Sequence, residues 1–224
     1  MNLRLLQLGD SALPIGGYSH SWGLEAAIDR KLVSDATGLE SWVRSWLAQV
    51  VGPLEGVVVG AASRAVQTED WPAVRRANDL LQASLTPPTL RSASRGMGQQ
   101  LLQLAEAWPW AAESVATIRR ADDAQAWHHA VVFATLASAA SASPDEAVAV
   151  YLHQSALGMI GAGVRAIPIG HTHGQQILAR LHDELGDLAR ELAVRDLEVA
   201  GSFCPAYEIL CHAQTQLYTR LFRS

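Results

Sequence analysis

Apolar residues recur at three- and four-residue intervals along most of the chain, the spacing that lines one face of an α-helix. Leu39, Trp42, Val43, Trp46, Leu47 and Val50 follow Thr37 and Glu40, which stand at capping-box spacing. Pro53 suits the first position of a next helix, with Leu54, Val57, Val58, Ala61 and Ala65 on one side. Asp70 before Trp71-Pro72 opens another, carrying Val74, Ala77, Leu80 and Leu81. Thr86-Pro87-Pro88 opens a longer one through Leu90, Met97, Leu101 and Leu104. Past the Trp108-Pro109-Trp110 break, the pattern predicts a helix around Asp122 to Ala140. Ser143-Pro144-Asp145-Glu146 combines an N-cap serine, a proline at the first position and acids in the first turn. Pro168, which has no backbone donor, ends or kinks that helix. Gln175 to about Val199 reads as helix, and Pro205 begins a last one through Ile209, Ala213, Leu217 and Leu221.

Only Val57-Val58-Val59 has strand character, and its flanks are helical. With no repeat, linker or composition break, residues 1–224 read as a single all-α domain, a bundle of roughly eight to ten helices.

Composition narrows the class. Of the 224 residues 49% are hydrophobic and 17% charged, well below the roughly 25% charge of an average soluble domain. Seventeen Lys and Arg against 22 Asp and Glu leave a net charge of -5 and no basic field for nucleic acid. Two cysteines suit a reducing compartment rather than a disulfide framework. The stretch Met1 to Asp10 is too short and too soon interrupted for a signal sequence, which points to a cytoplasmic protein. Residues 124–144 and 147–164 lack charge, but they are rich in Ala, Ser and Gly. That composition favours close packing inside a fold over a membrane span.

Catalytic signatures are missing: no phosphate loop, dinucleotide fingerprint, serine elbow or His-Glu-x-x-His pair occurs. Ser19, His20 and Glu25 have the residue types of a hydrolytic triad, but their local crowding fits no nucleophile geometry. His171 and His173 stand on a turn at the start of a helix, where two neutral imidazoles offer a transient metal contact. They lack the third and fourth ligands of a permanent site. His128 and His129 are adjacent, so a helix points them apart, one of them toward the core or an interface. Cys204 and Cys211 read as small buried hydrophobes, and Gly158, Gly161 and Gly163 as a close helix contact.

The run from Asp10 to Ala27 is the densest in candidate binding residues. Pro14, Gly16, Gly17, Tyr18, Ser19, His20 and Glu25 surround a Pro-Gly-Gly turn between two apolar helices, where Tyr18 adds a ring and a hydroxyl. A plain turn needs none of these rings and polar groups, and together they make a weakly charged surface suited to docking.

The segment Ala12-Leu13-Pro14-Ile15-Gly16-Gly17-Tyr18-Ser19-His20-Ser21-Trp22-Gly23-Leu24-Glu25 resembles the N-terminal signature of the UreF family of urease accessory proteins. Leu90 to Leu101, with its Arg-Ser-Ala-Ser-Arg-Gly-Met-Gly core, is similar to the family's central pattern. Val164-Arg165-Ala166-Ile167-Pro168-Ile169-Gly170 through Gln175, and Pro205 through Ser224, resemble two more of its segments, all in order. The resemblance implies a cytoplasmic, all-helical, dimeric protein without catalysis or an intrinsic cofactor. It implies a bridge between UreD/UreH and the GTPase UreG in a complex that delivers nickel to apo-urease. It also places Tyr18, Arg165, Tyr218, Arg220, Leu221, Phe222 and Arg223 at partner-binding positions, Arg165 as an isolated charge that meets a partner carboxylate or influences the GTPase. A helix C-terminus favours a basic residue equally well.

Two departures stand out: Gln214 and Thr215 replace a His-Glu pair common in the family, and His171 and His173 replace Gln-containing sequence. The first bears on partner specificity, the second on a local metal contact. A different class, a helical metal-dependent enzyme using His171 and His173, remains the competing reading.

Overall fold

The computed structural model describes residues 1–121 and 126–224, and these are all-helical without a strand. The helices are α1 (Leu3–Leu8), α2 (Leu24–Asp29), α3 (Ala36–Gln67), α4 (Trp71–Ser84) and α5 (Pro88–Ala105). They continue with α6 (Ala112–Arg120), α7 (His129–Ala139), α8 (Pro144–Ala166), α9 (His171–Ala193) and α10 (Pro205–Gln214).

Helix α7 is the hub. Every residue from His129 to Ala137 is buried, as expected of a helix that is apolar all round. It packs on α3, α5 and α8, while α8 and α9 pair along their length. A single cluster of buried side chains runs from Leu5 to Phe222. The Gly98 position on α5 marks how close the helices come: a Cβ there would lie 2.2 Å from the Trp127 carbonyl oxygen. Helices α3 and α8 are long and apolar enough to cross a membrane, yet half or more of the apolar window in each is buried in the bundle.

Several starts fall where the cap chemistry places them. Asp70 accepts from the Ala73 N–H (2.9 Å), and Ser143 and Glu146 form a reciprocal capping box. Ala166 ends α8 just before Pro168.

Elsewhere the structure corrects the pattern. The cap of α3 is Asp35, not Thr37; its carboxylate accepts from the Gly38 N–H at 2.8 Å. Pro53 opens no new helix but sits inside α3, where Leu47–Gly56 widens into a π-helix. The wider turn absorbs the donor that proline lacks, and the Pro53 carbonyl accepts from the Gly201 N–H (3.0 Å). Val57, Val58 and Val59 are fully buried and helical, so their strand propensity yields to tertiary packing. Helix α6 escaped notice because it buries only Val115 and Ile118. Of the helix expected from Asp122, residues 122–125 lie outside the described part, and the helix itself begins at His129.

Helix α9 begins and ends earlier than its pattern, at His171 and Ala193. Helix α10 stops at Gln214, leaving Leu217 and Leu221 in an irregular segment. Gly163 does meet the close contact expected of the α8 glycines, facing the Leu39 side chain. Gly158 and Gly161 instead face open space, with nothing within 4 Å of where a Cβ would stand. Both His128 and His129 are buried, one as the cap residue and one as the first residue of α7.

A candidate partner-docking site

Three segments far apart in sequence meet at one end of the bundle: the loop between α1 and α2, the last turn of α8, and residues 215–224. Gly16 (φ 88°) and Gly23 (φ 83°) take the left-handed conformation that the loop's reversals require. Between them Gly17–Ser19 forms a short 3-10 turn that lifts Tyr18 outward, 73% exposed.

The chain beyond α10 folds back over this loop. The Ser224 main-chain oxygen accepts from the Ser21 and Trp22 N–H groups (2.5 and 3.0 Å), and the Arg223 N–H donates to the Ser19 carbonyl (2.8 Å). Ser224 Oγ lies 2.8 Å from His20 Nδ1. Burial, and then the Arg223 charge, hold His20 below its ordinary pKa, which favours a neutral ring. Ser19 Oγ donates to the Gly16 carbonyl instead of to His20, so the triad residue types form no catalytic relay.

Glu25 organises the crossing. Its carboxylate accepts from the Leu221 N–H (2.6 Å), the Phe222 N–H (3.2 Å) and Gln214 Nε2 (2.5 Å). Gln214 Oε1 in turn accepts from the Ala26 N–H (3.1 Å), and Gln214 is fully buried. The departure at this position therefore has an internal use, as a bridge from α10 to α2; Thr215 beside it is exposed.

Arg165 closes the arrangement from α8. Its Nε donates to the Gly161 carbonyl (3.0 Å) and its Nη1 to the Tyr18 carbonyl (2.8 Å). The guanidinium carbon lies 3.6 Å from the Tyr18 ring centroid and 4.7 Å from that of Phe222. The charge read as isolated is thus held between two aromatic rings, one from each of the other segments.

Phe222 is the buried anchor of residues 215–224, while Tyr218, Arg220, Leu221 and Arg223 face outward with Pro14 and Tyr18. Of the positions singled out in these segments, Ser19, His20, Glu25, Leu221, Phe222 and Arg223 join the hydrogen-bonded crossing and Arg165 ties Tyr18 and Phe222 to it, whereas Pro14, Tyr218 and Arg220 take no part in it. Ser21 and Ser224 were missed, and Gln214 was marked only as a departure: residues that act by long-range hydrogen bonding leave no spacing to read.

An apolar cavity of about 270 Å³ runs beneath the loop, between Ile15, Trp22, Leu54 and Leu157. Glu55 lines it; burial pushes its carboxyl up to about 7, against the lowering bond from the Tyr151 hydroxyl. Of the two free thiols, Cys211 is buried as read and pushed up to about 12 by desolvation, whereas Cys204, just before α10, is only half-buried.

His171 and His173 lie in the first turn of α9, both exposed. Two residues apart on a helix, they project about 200° from each other. Among the described residues no group of three or more His, Cys, Asp and Glu side chains is placed to hold a metal ion.

At this end the all-helical bundle leaves Tyr18, Tyr218 and Leu221 exposed above a hydrogen-bonded crossing. The UreF family model matches residues 33–182, and the chain belongs to the UreF family. It is 35% identical to the urease accessory protein UreF of Cupriavidus metallidurans, over 99% of this chain and 97% of that protein. It is 32% identical to the urease accessory protein UreF of Polynucleobacter asymbioticus, over 98% and 96%. Arg165 lies within the family match, and the α1–α2 loop and residues 215–224 lie outside it.

Proposed function

We propose that this chain is a non-enzymatic urease maturation factor that bridges UreD/UreH and the GTPase UreG, so that nickel reaches apo-urease. Family membership supports the maturation role. The observation that carries the finer reading is the joint platform. Among the residues that the sequence resemblance assigns to complex formation, Tyr18, Tyr218 and Leu221 are exposed by 70% or more, and Arg165 and Phe222 tie the loop of Tyr18 to residues 215–224. Exposed aromatic and aliphatic side chains on a backbone fixed by internal hydrogen bonds suit an interface, because little ordering entropy is left to lose on binding.

Arg165 serves this role from within. Its charge holds Tyr18 and Phe222 in place, so its influence on the GTPase passes through the shape of the platform. The working form is a cytoplasmic homodimer, and Gly158 on α8, exposed and with nothing within 4 Å of where a Cβ would stand, offers the second copy a close approach. Nickel is cargo of the assembled complex.

Co-expression with UreD/UreH and UreG tests the reading. Both partners should co-purify with the chain, and Tyr18→Ala combined with Arg220→Ala should lower the yield of complex while helicity by circular dichroism holds. A folded chain that captures neither partner contradicts it. Tight stoichiometric nickel in the isolated chain, dependent on His171 and His173, would favour the enzyme reading instead.

A further inference from the structure

We infer that His153 and His182 form a two-imidazole site for a labile divalent transition cation of the imidazole-preferring kind, with water completing its coordination. His153 lies on α8 and His182 on α9, the two helices that pair along their length. Their ring centroids are 5.9 Å apart with the planes at 31°.

A tetrahedral ion bound at about 2.0–2.1 Å to one nitrogen of each ring would put the centroids about 5 Å apart. Small χ adjustments within their rotamer wells cover the remaining ångström. Rigid helices supply both ligands, so little backbone freedom is lost when the ion binds.

The rings are chemically available. Among the described residues the only histidine rings in hydrogen bonds are those of His20 and His128. One helical turn either way on α8 lie Ala149, Val150, Ala156 and Leu157; the same positions on α9 are Leu178, Ala179, Leu185 and Gly186. No carboxylate stands at these positions on either helix. Burial, and then the neighbouring His182, lower the pKa of His153, so the metal competes with few protons for that ring. His182 is exposed and His153 half-buried, which leaves the pair open to solvent from one side.

With two protein ligands the ion exchanges readily. The contrast with His171 and His173 is geometric: neighbours two apart in one helical turn diverge, whereas these two converge from separate helices.

Zn²⁺ is the probe, titrated calorimetrically into the full chain at pH 7.5 and followed in parallel by thermal melting. One equivalent should bind and raise the melting temperature. His182→Ala, at an exposed position that spares the fold, should weaken binding at least tenfold and abolish the melting shift; His153→Ala should do the same. The His171→Ala/His173→Ala double variant should bind as the unsubstituted chain does. Absence of Zn²⁺ uptake, or uptake unchanged by His182→Ala, or equal weakening by the double variant, would overturn the assignment.

Discussion

The hub around α7 and the platform at the end of the bundle are held together in opposite ways. Around α7 the packing is apolar beyond the hydrogen bonds that its cap residue His128 makes with Asn78, Ser94 and Gln82: Phe133 packs edge-on against Tyr151 (centroids 5.3 Å) and against His129 (6.1 Å). In the platform, by contrast, one carboxylate, one guanidinium and a set of main-chain groups join residues about two hundred positions apart in sequence. Apolar packing is non-directional and tolerates many sequences of the right volume. A carboxylate accepting two N–H groups fixes backbone position and leaves neighbouring side chains free to face outward. The hub therefore supplies stability and the platform, in the proposed role, specificity, so damage to each should have different readouts.

Phe133→Ala should have the largest effect on the hub, about 3–5 kcal/mol of lost stability from transfer and cavity terms. It should lower the denaturant midpoint with the slope unchanged. A loss below 1 kcal/mol would mean that the site collapses around the gap.

Acid should attack the same region. Burial holds His128 and His129 down at about 4, from an ordinary 6.5, so the folded chain binds fewer protons than the unfolded one between those values. Stability is complete above pH 6.5 and is lost as pH falls toward 4, by roughly 3 kcal/mol for each imidazole. Glu55, raised from 4.5 to about 7, works the other way and gains stability as pH falls through that window. His20 and His153, also held below their ordinary values, act in the same direction as His128 and His129, so the net effect is loss. Denaturant melts between pH 7 and 4 should show it, with a shallower slope in His129→Leu; identical slopes would remove His129 from the explanation.

Gly98→Ala should cost about 1–3 kcal/mol, because the α5 backbone must move away from the Trp127 carbonyl. The smallest change in global stability should come from the platform. Arg165→Ala removes two hydrogen bonds and two ring contacts, about 1 kcal/mol of local stabilisation. Amide exchange at Phe222 and Arg223 should quicken while α7 stays protected. Loss of protection in α7 as well would erase the distinction between the two regions.

Much of the helical bundle was readable in the sequence because its signals are local. Asp70, Ser143 and Pro168 act within one helical turn of where they sit, and the apolar period needs no partner to be seen. Pro53 misled because a π-helix absorbs a proline that an α-helix would reject. Helix α10 ran on in the pattern because Leu217 and Leu221 keep its period while the chain beyond Gln214 turns to reach Glu25. For the platform, the motifs marked Tyr18, Glu25, Arg165 and Phe222 but not how they meet. The bonds of Glu25 to Leu221 and of Ser224 to Ser21 span nearly the whole chain, and no spacing rule reaches that far. His153 and His182 were invisible for a related reason: each sits on its own helix, outside any motif.

The most direct test is Glu25→Ala, assayed by co-purification with UreD/UreH alongside a thermal melt. The account predicts that capture of the partner is lost while helicity holds and the melting temperature moves by only a few degrees. Retention of the partner at the unsubstituted yield, with the Leu221 and Phe222 amides exchanging freely, would contradict it.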